Sequence, residues 1–271
     1  MQHGKTLRIA GMLLSLTAVN AQASLTLTDN GLGVYDSALD ATWTRDANLL
    51  GTLENTYGYS TIVDAIIAAK PVIHNTPNGN DNGGKGVYNL SANDFGVNGQ
   101  VNWWAAQAYV SYLNSLNNGS GYGGSNQWAL PTTPDSDNSF GYNQTDSQLG
   151  ELYYNELNAL AYPGTNGSNF GILHDGSYNT SSNAGPFSNT KTYVYWSGTE
   201  YAADPYFAWA FTTSNGGQGS TSKGNPAYAW AASPGLVSAV PLPGAAWLFG
   251  AGMLGLLGLR RRDHAGCGCF G

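Results

Sequence analysis

Cysteine is almost absent from this sequence of 271 residues, and both cysteines, Cys267 and Cys269, lie in its last few positions. The chain between Ser24 and Val240 therefore forms no disulfide and offers no thiolate for metal binding or oxygen activation. A core held by apolar packing and hydrogen bonds alone is feasible at this size. We expect Cys267 and Cys269 to belong to an unstructured, glycine-rich tail, with a two-ligand metal site as the weaker alternative.

Charge is also scarce, and basic residues are the rarest. Between Ser24 and Val240 there are 16 acidic and 5 basic residues, a net charge of −11. This balance excludes nucleic acid as a partner and suits a divalent cation. Because 42% of all residues are hydrophobic, we expect a folded body and not a disordered chain.

Histidine is limited to His74 and His174 in this part of the chain. Each lies in a polar stretch that is typical of a loop, and no His-x-x-x-His or Glu-x-x-His spacing indicates zinc. The stretch from His174 to Ser177 brings a base, an acid and a hydroxyl together in sequence, but no Gly-x-Ser-x-Gly elbow supports a triad. Glu151 and Glu156 do not share a helix face, so they are no facing carboxylate pair for a glycosidase. We expect no catalytic residues.

Long apolar runs occur only at the two ends. Residues 1–23 are typical of a signal peptide: Lys5 and Arg8, then Ile9 to Val19, then a small-x-small cleavage site ending at Ala23. The mature chain would begin at Ser24 and be exported across the inner membrane. A core helix at the N-terminus is the alternative.

The second apolar run lies in residues 240–262, which comprise Val240, Pro241, Leu242 and Pro243, an apolar stretch, and Arg260, Arg261 and Arg262. A transmembrane helix over 243–259 would reach about 25 Å, slightly less than the ~30 Å hydrocarbon layer. The arginines would stay in the cytoplasm, which leaves the body outside the inner membrane.

This segment resembles the PEP-CTERM sorting signal, in which a Pro-x-Pro motif precedes one membrane span and an arginine cluster. The motif usually has Glu where this chain has Leu242, and the tail 263–271 is longer than usual. The resemblance implies recognition by an exosortase, a membrane-embedded cysteine protease of Gram-negative bacteria that make exopolysaccharide. The protein would be anchored only transiently and would end at the cell surface or in the extracellular matrix. An ordinary C-terminal anchor is the alternative.

The body from 24 to 239 mixes strands and helices. Alternating patterns predict strands at 24–28, 31–37, 41–46, 192–199, 206–213 and 227–232. Helices are predicted from a capping box at Thr61 and Asp64 to Pro71, from Asn102 to Leu116, and from a capping box at Thr145 and Gln148 to Pro163. We expect one α+β domain with a single antiparallel sheet. Asn75–Gly86 and Gly164–Asn189 are predicted as long loops.

Five motifs in order resemble the Lcl C-terminal domain family of extracytoplasmic proteins. They are VYDSALDATWTRDANLL (34–50), WWAAQAYVSYLNSL (103–116), WALPTT (128–133), SQLGELYYNEL (147–157) and YWSGTEY (195–201). The resemblance implies a C-type-lectin-like or formylglycine-generating-enzyme-like fold, with glycan binding in some relatives. The cysteine-dependent oxidation found on the latter fold would need thiolates that this body lacks. Ala129 replaces a family arginine, and Ala229–Ser233 replaces a closing strand that usually carries Val-Arg, so roles of those arginines are in doubt.

Aromatic residues supply the candidate binding groups. The seven tryptophans of the body lie mostly within predicted elements, so we expect them in the core. Loop tyrosines are better candidates for stacking on sugars: Tyr57, Tyr59, Tyr122, Tyr142 and Tyr201. Each one is an ordinary surface residue under the alternative interpretation.

Calcium is the one cofactor that the sequence suggests, and no other cofactor is expected. Asp135, Asp137 and Asp146 are spaced roughly as in an EF-hand loop, although Phe140 occupies the position of its required glycine. An irregular calcium loop through these three residues is therefore the hypothesis. Asn78–Gly84 is a weaker candidate and is more simply a cluster of turns.

These observations favour a non-catalytic, exported envelope or matrix protein that binds exopolysaccharide in a biofilm or in adhesion. Its expected partners are an exosortase, extracellular polysaccharide and, before processing, the inner membrane. A purely structural matrix protein without a ligand site and a polysaccharide hydrolase are the two alternatives.

Overall fold

The computed structural model describes residues 24–81, 83–162 and 169–237. The predicted signal peptide (1–23), sorting signal (240–262) and tail (263–271) lie outside the described residues. Among the helices that are described, none combines the length and the apolar character needed to cross a bilayer. The described chain is α+β with mainly antiparallel sheets, as predicted.

The first sheet joins the two ends of the body. It contains β1 (Leu25–Leu27), β2 (Gly33–Asp36), β3 (Ala41–Thr44) and β13 (Ala232–Pro234) in that order, all antiparallel. The three strands predicted near the N-terminus are thereby confirmed, although each is shorter than its pattern. The strand β13 pairs with β3, so that Pro234 lies opposite Ala41.

The second sheet contains the strands of the C-terminal half. Its order is β11 (Gly217–Ser222), β10 (Phe207–Thr212), β9 (Val194–Glu200), β12 (Ala227–Tyr228) and β6 (Gln100–Val101), and only the β9–β12 pairing is parallel. The prediction of a single sheet is therefore wrong. The apolar run at 227–232 is not one strand, because it begins in the second sheet and ends in the first.

One of the two polar stretches predicted as loops contains a hairpin. The stretch at 75–86 is a loop, as predicted, and connects β4 (Val72–His74) to β5 (Val87–Asn89). The second stretch contains β7 (Ser181–Ala184) and the start of β8 (Phe187–Lys191). Most residues of β7 and β8 are polar, so these strands lack the apolar alternation that marks a half-buried strand.

Four α-helices of the described chain lie between the strands: α1 (Leu49–Tyr57), α2 (Tyr59–Ala69), α3 (Trp103–Ser115) and α4 (Gln148–Glu151), and α4 continues as a π-helical segment, Leu152–Glu156. The prediction of α3 is confirmed, including its cap at Asn102, whose Oδ1 accepts a hydrogen bond from the Ala105 amide at 2.9 Å. The sequence did not predict α1.

The two predicted capping boxes are wrong. The helix α2 begins at Tyr59, after Gly58 with φ +94°, so Thr61 lies inside it, while its end before Pro71 is confirmed. The cap of α4 is Ser147, whose Oγ accepts from the Gly150 amide at 3.0 Å, and not Thr145. The helical segment ends at Glu156, well before Pro163.

The core consists of two apolar clusters on the two faces of the second sheet. One cluster includes Trp104 and Trp196 and lies against α1, α2 and α3. The other includes Trp43 and Trp230 and fills the space toward the first sheet and α4. The prediction that the tryptophans are buried is confirmed for all seven: Trp43, Trp103, Trp104, Trp128, Trp196, Trp209 and Trp230. Each buried aromatic side chain contributes about 1.5–3 kcal/mol to the free energy of folding. These side chains stabilise a body that has no disulfides.

Candidate functional site

A loop spanning residues 134–146 lies along the outer edge of the second sheet, and we refer to it as the aromatic loop. Gly141 and Gln218 on β11 exchange two backbone hydrogen bonds of 2.9 Å. The buried side chain of Gln218 also donates to the Ser139 carbonyl at 2.7 Å and accepts from the Ser147 hydroxyl. The loop therefore covers the free edge of β11 and has a fixed position.

Three rings pack together where the aromatic loop meets the turn between β9 and β10. The centroid of Phe140 lies 4.4 Å from that of Trp209, and Tyr201 contacts Phe140 and Trp209 edge-on at 5.5 and 5.6 Å. Trp209 is fully buried, whereas Phe140 is 39% exposed. Asp135 locks this arrangement, since its carboxylate accepts from Trp209 Nε1 at 2.7 Å and from the Ala202 amide at 3.2 Å.

A further exposed ring continues the row along β11. Tyr142 is 41% exposed and lies against Gly217, while Phe140 lies near Gly219. Tyr206 is 36% exposed, but its ring lies elsewhere, beside Phe207 and near Gly79 of the β4–β5 loop. At ~3.3 Å per strand residue, Gly217 and Gly219 lie roughly 7 Å apart. We call Phe140, Tyr142 and Tyr201 the aromatic surface.

The remaining tyrosine candidates lie elsewhere. Tyr57 is 63% exposed at the end of α1. The Tyr59 hydroxyl donates to the Phe95 carbonyl at 2.7 Å, and Tyr122 packs edge-on against Trp128 at 6.0 Å. Burial raises the pKa of Tyr122 to about 12. Of the five predicted residues, the structure brings together Tyr142 and Tyr201 and adds Phe140, which the sequence analysis did not propose as a binding residue.

The calcium hypothesis is not supported by the geometry. Within the described part of the chain, no three acidic, histidine or cysteine side chains converge in a way that could hold a metal ion. Asp135 bonds Trp209, and the Ser139 hydroxyl donates to Asp146 at 3.5 Å, so calcium binding by Asp135, Asp137 and Asp146 stays a prediction.

The loop between β4 and β5 is organised by the carboxylate of Asp81. It accepts backbone hydrogen bonds from Asn78, Lys85 and Gly86 at 2.8–3.1 Å. Burial acts to raise the pKa of Asp81, but the amide donors outweigh it and lower the pKa. This cluster of turns is the simpler of the two interpretations given for 78–84.

A buried ion pair connects the same loop to the second sheet. The Lys223 ammonium is fully buried, lies 3.0 Å from Glu200 Oε1, and sits 4.7 Å from the ring centroid of Trp103. Glu200 also accepts from the Thr76 amide at 3.1 Å. Burial lowers the pKa of Lys223, although the bond to Glu200 opposes the shift. No sequence pattern identified this pair, since Lys223 follows a strand of polar residues.

A cavity of about 450 Å³ lies between the end of the π-helical segment and the β7–β8 turn. Its lining includes Glu156 and His174, and His174 has a left-handed backbone with φ +57°. Burial, together with the charges of Asp36 and Glu151, raises the pKa of Glu156. The Asp36 carboxylate already accepts hydrogen bonds from Trp43 Nε1 and from the backbone amides of Ala38 and Leu39. It therefore does not face Glu156 as a free carboxylate.

Ala129 and the segment Ala229–Ser233 lie together in the fold. Ala129 and Ala232 exchange backbone hydrogen bonds of 2.8 and 2.9 Å. Both line an adjoining cavity of about 210 Å³ together with Leu39, Leu130 and Pro234.

No family model, no curated protein and no solved structure matches this chain. The assignment of function therefore depends on the residues and on the geometry described above.

Proposed function

We propose that this chain is an exported, non-catalytic protein of the cell envelope or extracellular matrix that binds exopolysaccharide through the aromatic surface. The observation that carries this proposal is the row of exposed rings held on a fixed frame along β11. The frame consists of the Gly141–Gln218 backbone bonds and the Asp135–Trp209 bond.

Physical chemistry favours a sugar polymer at such a surface. Flat aromatic faces complement the axial C–H groups of pyranose rings, and aromatic side chains lose little conformational entropy on binding. Phe140 and Tyr201 are already restrained by contact with Trp209, which lowers the cost of ordering them. Because Phe140 and Tyr142 lie over neighbouring parts of β11, they can contact consecutive sugars of one polymer chain.

We also infer that the body has the C-type-lectin-like arrangement expected from its motifs. What supports this inference is an α+β body with two larger sheets and two hairpins, in which β1 and β13, the first and last described strands, share one sheet. The long connections that carry the aromatic loop and the β4–β5 loop supply its binding side.

Binding is tested with the protein purified from the cells that export it. We expect Tyr142→Ala combined with Phe140→Ala to weaken binding to the producer's exopolysaccharide about 10-fold or more, at ~1–3 kcal/mol for stacking contacts of this type. Tyr57→Ala is the matched control, since Tyr57 is more exposed and lies on α1. Absence of binding to any glycan favours the purely structural alternative, and release of reducing ends favours a hydrolase.

The proposed sorting is tested by mass spectrometry of the same product. Cleavage at both ends predicts a chain that begins at Ser24 and lacks residues 244–262. An intact molecule that still carries Arg260, Arg261 and Arg262, from cells with an active exosortase, contradicts the sorting proposal. Finding such a molecule would not affect the proposal of glycan binding.

A further inference from the structure

The aromatic surface is bordered by acidic residues and by no basic ones. The aromatic loop (134–146) contains Asp135, Asp137 and Asp146, and the turn from Tyr201 to Tyr206 contains Asp204. Neither segment contains lysine, arginine or histidine. The four carboxylates therefore give this surface a strongly negative local charge.

The nearest lysine does not offset this charge. Lys223 is fully buried and is paired with Glu200, so it presents no ammonium group to a ligand. The pair is neutral overall, and its indole neighbours separate it from solvent.

Two of the carboxylates lie close to the exposed rings and are free to meet a ligand. Asp137 opens the short turn Asp137–Ser139 immediately before Phe140, and it is exposed. Asp204 lies between Tyr201 and Tyr206, and only its Oδ1 is engaged, by the Tyr206 amide at 3.0 Å. The Asp204 amide also donates to the Tyr201 carbonyl at 3.2 Å, so both carboxylates belong to segments that carry the rings.

We propose that the occupant of the aromatic surface is a polysaccharide that contains protonated amino sugars, with the rings stacking on the sugars and Asp137 and Asp204 pairing with their ammonium groups. This inference rests on the proposed function. Charge complementarity selects this class, because polymers of uronic acids or phosphorylated sugars would be repelled and neutral polymers would gain only the stacking contacts.

The test compares two polymers with the same backbone. Chitosan carries free amines, and its fully N-acetylated form carries none, so charge is the main difference between them. At mildly acidic pH and low salt, the full-length protein should bind chitosan more tightly than the acetylated form, and added salt should reduce the difference. Alginate, an acidic polymer, should bind most weakly.

A charge-neutralising variant tests the named residues. Asp137→Asn with Asp204→Asn should lower the affinity for chitosan about 3-fold to 10-fold, given ~0.2–1 kcal/mol for each exposed ion pair. The acetylated polymer should bind this variant as before. The asparagine introduced at position 204 would retain an oxygen acceptor for the Tyr206 amide, so the turn is preserved. Asp64→Asn, on the exposed side of α2, is the matched control.

The outcomes separate this inference from the proposed function. Equal binding of chitosan and its acetylated form, or an unchanged affinity in the double variant, overturns the amino-sugar assignment and leaves glycan binding intact. Tighter binding of alginate than of chitosan also overturns the amino-sugar assignment and leaves glycan binding intact. Failure to bind any of the three polymers or the producer's own exopolysaccharide overturns the proposed function itself.

Discussion

Glu54 lies on the buried side of α1, and only one of its two carboxyl oxygens accepts a hydrogen bond from the described residues. Its residue is 5% exposed, Oε2 accepts from the Gly99 amide at 2.9 Å, and Oε1 has no partner among the described residues. Burial raises its pKa to about 7, although the amides of Gly99 and Asn98 act in the opposite direction. The facing titratable group on α2 is Tyr59, whose own pKa is raised by burial and by Glu54.

This pKa makes the stability of the fold depend on pH. In the unfolded chain Glu54 ionises near its ordinary value of 4.5, whereas in the folded chain it stays protonated up to about 7. The folded state therefore binds more protons between these values, so the free energy of unfolding falls as pH rises through this range and stays lower above it. The neutral carboxylic acid suits this site and the carboxylate does not.

We predict that Glu54→Gln removes most of this pH dependence. Glutamine is neutral at every pH, so the variant should be more stable than the parent above neutral pH by roughly 1–3 kcal/mol, and similar to it in acid. Urea unfolding on the acidic and alkaline sides of neutrality measures this. A variant that is less stable than the parent above neutral pH and similar to it in acid would show that the site favours the carboxylate.

At the scale of elements, Asn102, the residue before α3, does more than cap the helix. The side chain of Asn102 accepts from the Ala105 amide and donates to Asp94 Oδ1 at 2.7 Å. Asp94 in turn accepts from the Tyr88 hydroxyl at 2.6 Å, and the Tyr88 ring stacks on Trp104 at 3.9 Å. One amide therefore connects the start of α3 to β5 and to the core.

We predict that Asn102→Ala destabilises the protein by about 1–3 kcal/mol, because it removes the cap and leaves the buried Asp94 with one donor fewer. Asn102→Ser retains an oxygen at the cap and should lose less. Thermal or urea unfolding of both variants measures the difference. Equal losses would show that the cap itself contributes nothing measurable.

An element can be predicted from the sequence when many of its residues are apolar, and it is missed when few are. The helix α3 was predicted with its cap because alanine, tryptophan and leucine positions surround a single helical stretch. The strand β11 was not predicted, since Gly217–Ser222 contains no apolar side chain and pairs only because β10 lies beside it. The helix α1 was missed because glycine and asparagine weaken its pattern and Gly51 packs tightly against Asn98.

The candidate site was predictable only in part for a related reason. Sequence alone identifies Tyr142 and Tyr201 as loop residues with exposed rings. It does not show that the aromatic loop pairs with β11, because that pairing joins Gly141 to Gln218 through backbone atoms that every residue type shares. The same pairing brings Phe140 next to Tyr201, although in the sequence Phe140 served only as an argument against an EF-hand.

At the scale of the whole molecule, the first sheet closes the body. Its last strand, β13, pairs with β3 through Ala232, Ser233 and Pro234. Beyond it, the Gly235 amide donates to the Asp40 carbonyl at 2.7 Å, and the Val237 amide donates to Thr42 Oγ1 at 3.0 Å. The final described residue, Val237, is buried. A cut near Pro241 would therefore spare all these contacts, whereas a cut before Ala232 would remove them.

This closure predicts how far the chain can be shortened from its C-terminal side. A chain of residues 24–239 should unfold cooperatively, while a chain of residues 24–231 should lose several hydrogen bonds at roughly 1 kcal/mol each and melt about 10 °C lower or fail to fold. Thr42→Val in the longer chain is an intermediate case, because it removes only the bond from the Thr42 hydroxyl to the Gly235 carbonyl and the bond from the Val237 amide to that hydroxyl. Calorimetry or circular dichroism melting ranks the three proteins. If residues 24–231 melt at the same temperature as residues 24–239, β13 is dispensable, and the position of the proposed sorting motif just after the body has no basis in the stability of the fold.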